Sequence, residues 1–155
     1  MDTVSHGAWS YLLWYTNPYT WFAVGAGMLP DLLSVVPVGL TTFVVNKGDL
    51  HKALHDKGTP KWALTYKRIM FPITHSLVVA MSVWFSVAAV WGAQWWLLAW
   101  PLHILVDIVS HPLEKATPFL WPLLGTKVHA MNWYSKRFAA LNTIALAIVA
   151  LVLFR

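Results

Sequence analysis

The chain lacks cysteine and is poor in charged residues, and both shortages narrow what it can be. None of its 155 residues is cysteine, which excludes disulfide bonds, thiolate metal ligands and a cysteine nucleophile. Only 11% of the residues are charged and 58% are hydrophobic, whereas a typical soluble domain has about 25% charged residues. A water-exposed surface is hard to build from this composition. We therefore predict a single domain, 1–155, embedded in a membrane, and eleven Trp residues agree because Trp concentrates at membrane interfaces.

Basic residues are also missing from the start of the chain. The stretch MDTVSHGAWS has no Lys or Arg before the first apolar run, whereas a cleaved signal peptide normally begins with positive charge. We therefore expect the first helical segment to remain in the mature protein. The formal net charge of +5 comes from loops between apolar segments, so we expect it to orient the chain in a membrane and expect no nucleic-acid partner.

Long apolar segments dominate the sequence. Three are close to the roughly 20 residues that cross about 30 Å of hydrocarbon, namely 73–91, 93–110 and 138–154. Only Gly92 separates the first two, which predicts a tight helical hairpin. A fourth segment, 19–45, contains Pro30 and Pro37, and proline tends to kink or end a helix. We predict an all-α integral membrane bundle of about four to five helices, in which 19–45 breaks near Pro30 as a broken span or a half-inserted hairpin.

The basic residues are concentrated in two segments, 46–72 and 112–137. The predicted hairpin 73–110 returns the chain to the side from which it started, so both basic segments should lie on one side of the membrane. Cytoplasmic loops carry an excess of Lys and Arg. We therefore predict that both segments face the cytoplasm and that Arg155 lies on the opposite side.

A row of ionisable residues lies in the apolar stretch PLHILVDIVSHPL. His103, Asp107 and His111 follow one another at four-residue spacing, although ionisable residues in a span cost about 2.5–3.5 kcal/mol each and persist mostly at functional sites. Four residues advance a helix by about 40° and 6 Å, so His103 and Asp107 can reach one ion. His111 lies about 12 Å from His103 along the axis, and Pro112 predicts that the helix ends there. We therefore expect His111 to be either a catalytic or outer-shell group beside one metal ion or a ligand of a second metal ion.

Imidazole and carboxylate together suit zinc or another divalent transition metal. A cation removes the cost of burying a carboxylate among imidazoles, and it can activate a water molecule. Asp31 and His75 are further ionisable residues in apolar segments, and His6 lies at the end of one. The row therefore predicts a metal site with one or two ions, most simply zinc.

Four motifs occur in an order that resembles a known family. They are SHG (5–7), GMLPD (27–31), THS (74–76), and HILVD with HPLEKATPFLWPL (103–123). This order resembles the LexA-regulated, membrane-bound metal-dependent hydrolase family, also called domain of unknown function 457. The resemblance implies that His6, Asp31, His75 and Asp107 are metal ligands and that His103 begins the family's His-x-x-x-Asp motif. One departure is that the His-Arg pair that often precedes Thr-His-Ser is absent from YKRIMFPITHS.

The motif order is also similar to zinc-dependent phospholipase C. That similarity implies one metal held by Asp31, His75, His103 and Asp107, with Asp107 bridging to a second metal beside His6. Together the resemblances imply a hydrolase in the cytoplasmic membrane of a bacterium or archaeon. Metal-activated water would attack an ester or phosphoester of a small or lipid-like substrate among membrane lipids, and His111 would shuttle protons.

Two other functional classes remain open from the sequence. His75 and His103 on facing helices could ligate haem in an electron-transfer protein, and the intramembrane ionisable residues could form a proton relay or transporter subunit. Ser76 beside His75 suggests a nucleophile, but adjacent helical residues point apart. We expect His129 to be interfacial and His51 and His55 to be solvated.

Overall fold

The computed structural model describes residues 1–112, 116–126, 128 and 135–155, and these residues form eight α-helices and no strand. The helices are α1 Thr3–Leu13, α2 Thr20–Ser34, α3 Val36–Val45, α4 Leu50–Leu54, α5 Lys61–Thr74, α6 Leu77–Trp91, α7 Ala99–Ser110 and α8 Lys136–Leu153, with a 3-10 turn at Trp95–Leu98 before α7. The all-α prediction is confirmed. The predicted number of four to five helices is too low, because 19–45 divides into two helices and the basic segment 46–72 contains α4 and most of α5.

The predicted helix break near Pro30 is wrong, because the break lies at Val35. Pro30 lies inside α2 and is buried, and its carbonyl accepts a hydrogen bond from Ser34 Oγ at 2.7 Å. The chain bends by 47° between α2 and α3. Pro37 occupies the first turn of α3, where the missing N–H of proline costs no helical hydrogen bond.

A second break divides α5 from α6 at the THS motif, with a bend of 59°. His75 is the C-cap of α5 and Ser76 is the N-cap of α6, where Ser76 Oγ accepts from Val79 N. Residues 116–126 lie against this break, since Leu77 N donates to Phe119 O at 2.8 Å and Ser76 Oγ donates to Trp121 O. His75 is therefore held at a non-helical position between two helices.

Of the helices in the described part of the chain, α8 alone is long and apolar enough to cross a membrane. The bent pair α2 and α3 and the bent pair α5 and α6 are also long and apolar enough to cross a membrane, by length and composition, if each pair counts as one span. None of the residues in α8 is buried. A polar contact joins α8 to α1, since Asn142 Oδ1 accepts from Trp9 Nε1 at 2.9 Å and Asn142 Nδ2 donates to Ser5 Oγ at 3.0 Å.

The centre of the molecule combines small apolar residues with buried polar ones. α2 contacts α1, α5 and α7, and Ala23, Ala26, Ala80 and Ile104 form part of the buried apolar cluster. Small side chains allow helices to approach closely. The close approach brings residues of α1, α2 and α7, together with the α5–α6 break, to one buried position.

Candidate metal centre

Five ionisable side chains that the sequence predicts as metal ligands converge in the centre of the fold. They are exposed by 6% or less and are His6, Asp31, His75, His103 and Asp107. α1, α2, the C-cap of α5 and α7 supply them. Residues spread over about two thirds of the chain therefore form one buried polar cluster.

Asp107 lies between the histidines and uses both carboxylate oxygens. Oδ2 lies 3.3 Å from His103 Nε2 and 3.7 Å from His75 Nε2. Oδ1 accepts a hydrogen bond from His6 Nε2 at 3.0 Å. The His103 and His6 rings stack with centroids 3.6 Å apart. The carboxylate therefore connects two sides of the cluster.

Asp31 forms the opposite edge of the cluster. Its Oδ1 lies 3.4 Å from His75 Nε2, and its Oδ2 accepts a hydrogen bond from Thr3 Oγ1 at 2.8 Å. The hydroxyl fixes one oxygen of the carboxylate and leaves the other directed at the imidazole. Sequence reasoning missed Thr3, although its place one helical turn before His6 was an available signal.

Backbone carbonyls determine the tautomers of two histidines. His103 Nδ1 lies 2.7 Å from Gly27 O. His75 Nδ1 lies 3.2 Å from Phe71 O and 3.0 Å from the hydroxyl of Thr74, which donates its proton to Met70 O. A carbonyl oxygen can only accept, so each Nδ1 carries a proton, and in the neutral ring Nε2 then carries a lone pair. Among the described residues, neither Nε2 has a hydrogen-bond partner. Two unpaired lone pairs therefore point toward carboxylate oxygens, which cannot donate to them.

This arrangement can hold a metal ion. In one group, single ligand atoms of His75, His103 and Asp107 all lie within 4.8 Å of one another, and His6, Asp31 and His103 form a second such group. Zinc–nitrogen bonds of about 2.0–2.1 Å place neighbouring ligands of a tetrahedral ion about 3.3 Å apart. The nitrogen–oxygen separations of 3.3, 3.4 and 3.7 Å agree with that spacing. His103 belongs to both groups, and its one lone pair, on Nε2, can bind a single ion. The geometry is therefore compatible with one ion at this histidine, and a second ion would need other ligands.

Two residues near Asp107 had no signal in the sequence. The α-ammonium group of Met1 lies 2.7 Å from Asp107 Oδ1 and 2.9 Å from Ser110 Oγ. This positive charge compensates Oδ1, the oxygen that also accepts from His6. Oδ2 faces the unpaired nitrogens of His75 and His103, so the two oxygens of one carboxylate have different electrostatic surroundings.

His111 lies at the end of the row, as Pro112 predicts. α7 ends at Ser110 and His111 is its C-cap, with Nδ1 3.1 Å from Asp107 O and 3.4 Å from Asp107 Oδ1. Four-residue spacing places His111 beside Asp107, as it places His103 beside Asp107. Burial lowers the pKa of His111 below its ordinary value, against the opposing attraction of Asp107. His111 is 12% exposed, more than the five buried residues.

The other residues considered from the sequence lie elsewhere. Ser76 Oγ is engaged in capping α6 and bonding to Trp121 O, which argues against a nucleophile activated by His75. His51 and His55 lie on and after α4, with rings 4.7 Å apart. His129 lies outside the described residues.

Comparison with protein-family models, with curated proteins and with solved structures gives no match for this chain. The resemblance to the LexA-regulated hydrolase family therefore stays a prediction that rests on the four motifs.

Proposed function

We propose that the protein is a membrane-embedded, metal-dependent hydrolase that cleaves an ester or phosphoester. The observation that carries the proposal is the pair of unpaired Nε2 atoms on His75 and His103, which face the carboxylates of Asp31 and Asp107 in a buried site. Unpaired buried polar atoms and buried carboxylates are both costly. A divalent cation, most simply zinc, would satisfy all four groups at once.

The chemistry divides between the metal and the chain. A bound divalent cation lowers the pKa of water and polarises the substrate oxygen. His75, His103, Asp31 and Asp107 would hold the ion, with His6 at its second side. The attacking water forms a bond to the carbonyl carbon or phosphorus and gives its proton to His111, and the bond to the leaving oxygen breaks. His111 then returns the proton to the leaving oxygen, which gives an alcohol and an acid.

We propose that the site lies near the cytoplasmic face of the membrane. α8 and the two bent helix pairs support a membrane location. His75 lies at the start of α6 and His111 at the end of α7, so a hairpin of these helices puts both at one level. The basic segments 46–72 and 112–137 leave the hairpin on that side, which the positive-inside tendency assigns to the cytoplasm.

The geometry favours this proposal over haem ligation. His75 and His103 lie with ring centroids 5.2 Å apart, and Asp107 Oδ2 is within 3.7 Å of both Nε2 atoms. A haem iron between the two nitrogens would bring the porphyrin into the position of that carboxylate. A strong visible absorption band of the purified protein would nevertheless favour haem. A proton relay needs no metal and is separated from our proposal by metal analysis.

The test measures metal and hydrolysis in the same detergent-purified samples. Wild-type protein from zinc-supplemented cells should contain stoichiometric zinc and should hydrolyse p-nitrophenyl esters or phosphoesters. Asp107→Asn keeps the size of the side chain and removes its charge, so it should lose both properties. Asp49→Asn is the matched control because Asp49 is the N-cap of α4 and its side chain is 39% exposed.

Each result has a separate meaning. Zinc-free wild-type protein, or full zinc in Asp107→Asn, would contradict the metal site. Stoichiometric zinc that disappears in Asp107→Asn, without hydrolysis of either class of substrate, would support the metal site and reject the hydrolase.

A further inference from the structure

A cavity of about 410 Å³ lies beside the candidate metal centre, between α1, α7 and the start of α8. Most of its lining is apolar. His6, His103 and Ser110 also line it, and His103 carries one of the two unpaired buried nitrogens. The cavity therefore joins an apolar space to the polar cluster, as expected of a pocket that orients a largely apolar ligand with a few polar groups.

The apolar wall on α7 follows the helical period. Leu102, Val106 and Val109 all line the cavity, and their spacing of four and three residues puts them on one face of the helix. His103 and Asp107 follow Leu102 and Val106 by one residue each, so the ligand face lies next to this wall. A molecule against the apolar wall would have one end beside the metal ligands.

The cavity is open on the outer side. Val109 is 58% exposed and Leu13, on the opposing wall in α1, is 61% exposed. Large apolar side chains at this exposure suit contact with lipid better than contact with water. The opening therefore connects the cluster laterally with the surroundings of the helices.

The position of α8 indicates the depth of the opening. α8 starts with Lys136 and Arg137, residues that favour a membrane interface, and Phe138 and Asn142 line the cavity. At 1.5 Å per residue, Phe138 lies about 3 Å and Asn142 about 9 Å beyond Lys136 along the helix. This is the depth at which the polar linkage of a lipid gives way to its hydrocarbon chains.

We propose that the cavity, which we call the α1–α7–α8 groove, receives one aliphatic chain of a membrane lipid whose ester or phosphoester linkage lies at the metal centre. This inference rests on the proposed function and specifies its substrate class. The apolar wall provides the chain site, the unpaired nitrogen of His103 marks the reacting end, and the lateral opening gives access from the bilayer.

Two tryptophan substitutions on α7 test the groove. Val109→Trp fills the groove, whereas Leu105→Trp puts the same side chain on a residue of similar exposure, 47%, that does not line the cavity. Leu13→Trp fills the groove from α1 and serves as an independent second variant. Zinc content should equal wild type in all three, because none of these residues is a predicted ligand.

The first measurement is hydrolysis of two series with alkyl chains of two to eight carbons, p-nitrophenyl alkanoates and alkyl p-nitrophenyl phosphates, below their micelle concentrations. Burial of a methylene contributes about 0.8 kcal/mol, so kcat/KM should rise up to about fourfold per carbon in wild type and Leu105→Trp. The rise should flatten in Val109→Trp and Leu13→Trp. Equal chain-length dependence in all four proteins would overturn the groove and leave the hydrolase intact.

The second measurement does not need turnover. A phosphonate with a 16-carbon chain and a diazirine at the chain end is photolysed with zinc-loaded protein in phosphatidylcholine vesicles. Labelling should concentrate on the α1, α7 and α8 residues of the groove and fall in Val109→Trp but not in Leu105→Trp. Labelling spread over all outward helix faces, unchanged by Val109→Trp, would overturn the groove. Absence of hydrolysis with groove-specific labelling would reject the hydrolase and keep the chain site.

Discussion

The crossing of α1 and α2 at Gly27 is a tight packing point beside the candidate metal centre. A Cβ atom added to Gly27 would lie 2.0 Å from Ser10 Oγ, 3.0 Å from Ser10 Cβ and 3.4 Å from His6 O. Gly27 O also accepts the hydrogen bond that fixes the His103 tautomer. Gly27→Ala should therefore push α1 from α2 and disturb His6 and His103 together.

The expected loss of stability follows from two opposing contributions. Overpacking of a tight core costs about 1–3 kcal/mol, and replacing Gly by Ala in a helix returns at most about 1 kcal/mol. We expect a net loss of about 1–2 kcal/mol in the free energy of unfolding. Disturbing the partner of a metal-ligating histidine typically lowers metal affinity about 10–100-fold, and we expect a loss in that range.

The assay pairs zinc affinity, measured by chelator competition, with thermal unfolding in detergent. Gly25→Ala is the matched control on α2, because its added Cβ would have no atom within 4 Å and should leave both quantities at or above wild type. Adding Ser10→Gly to Gly27→Ala removes both Ser10 atoms that clash. The double variant should regain zinc affinity relative to Gly27→Ala. Wild-type affinity in Gly27→Ala, or no recovery in the double variant, would refute the reasoning.

Three further predictions concern catalysis, topology and the docking of α8. His103→Ala should lose zinc, whereas His111→Ala should keep it and lose about 10²–10⁴-fold in turnover if it transfers protons; equal zinc loss in both would make His111 a ligand. Lys57→Cys should resist an impermeant thiol reagent on intact cells while Arg155→Cys reacts, and the reverse pattern would invert the orientation. Asn142→Leu removes the contacts to Trp9 and Ser5 and should destabilise the fold by about 0.6–1.7 kcal/mol in unfolding measurements, with Thr143→Val on exposed α8 surface as control.

The local part of the site could be predicted from the sequence, and the reason is helical geometry. His103 and Asp107 share one face of α7 and lie 3.3 Å apart, as their four-residue spacing predicts. The addition of His6, Asp31 and His75 rested on the motif resemblance, because hydropathy and spacing do not specify which helices contact one another. In the structure His6 and His75 lie beside Asp107, and Asp31 lies beside His75. Helical periodicity describes one helix at a time and could not predict these contacts between helices.

The groups that orient the ligands were not predictable. Gly27 O and Phe71 O hold the two histidine tautomers. Every residue has a backbone carbonyl, so the sequence does not show which carbonyl will accept a hydrogen bond from a histidine. The helix break shows a related limit. Pro30 and Pro37 have the same local preference, but only Pro37 lies at the bend. α2 continues through Pro30, although proline cannot donate a helical hydrogen bond there.

Most carboxylates of the described chain have an evident structural role. Asp2 caps α1 and accepts a hydrogen bond from Ser5 N. Asp49 caps α4 and accepts from Lys52 N. Asp56 pairs with Lys67. The backbone hydrogen bond from Lys52 lowers the pKa of Asp49, which keeps this cap ionised. Three of the chain's six acidic residues are thereby accounted for, and Glu114 lies outside the described residues.

The two remaining carboxylates, Asp31 and Asp107, are the buried ones, and within the described ranges neither pairs with a Lys or Arg side chain. A hydroxyl from Thr3 and the ammonium group of Met1 each reach one oxygen. The oxygens that remain face the unpaired nitrogens of His75 and His103, which present lone pairs in their neutral form. Oxygen and nitrogen lone pairs directed at one another are repulsive unless a proton or a cation lies between them. A divalent ion between these atoms would satisfy the oxygens and the nitrogens together, at the distances observed.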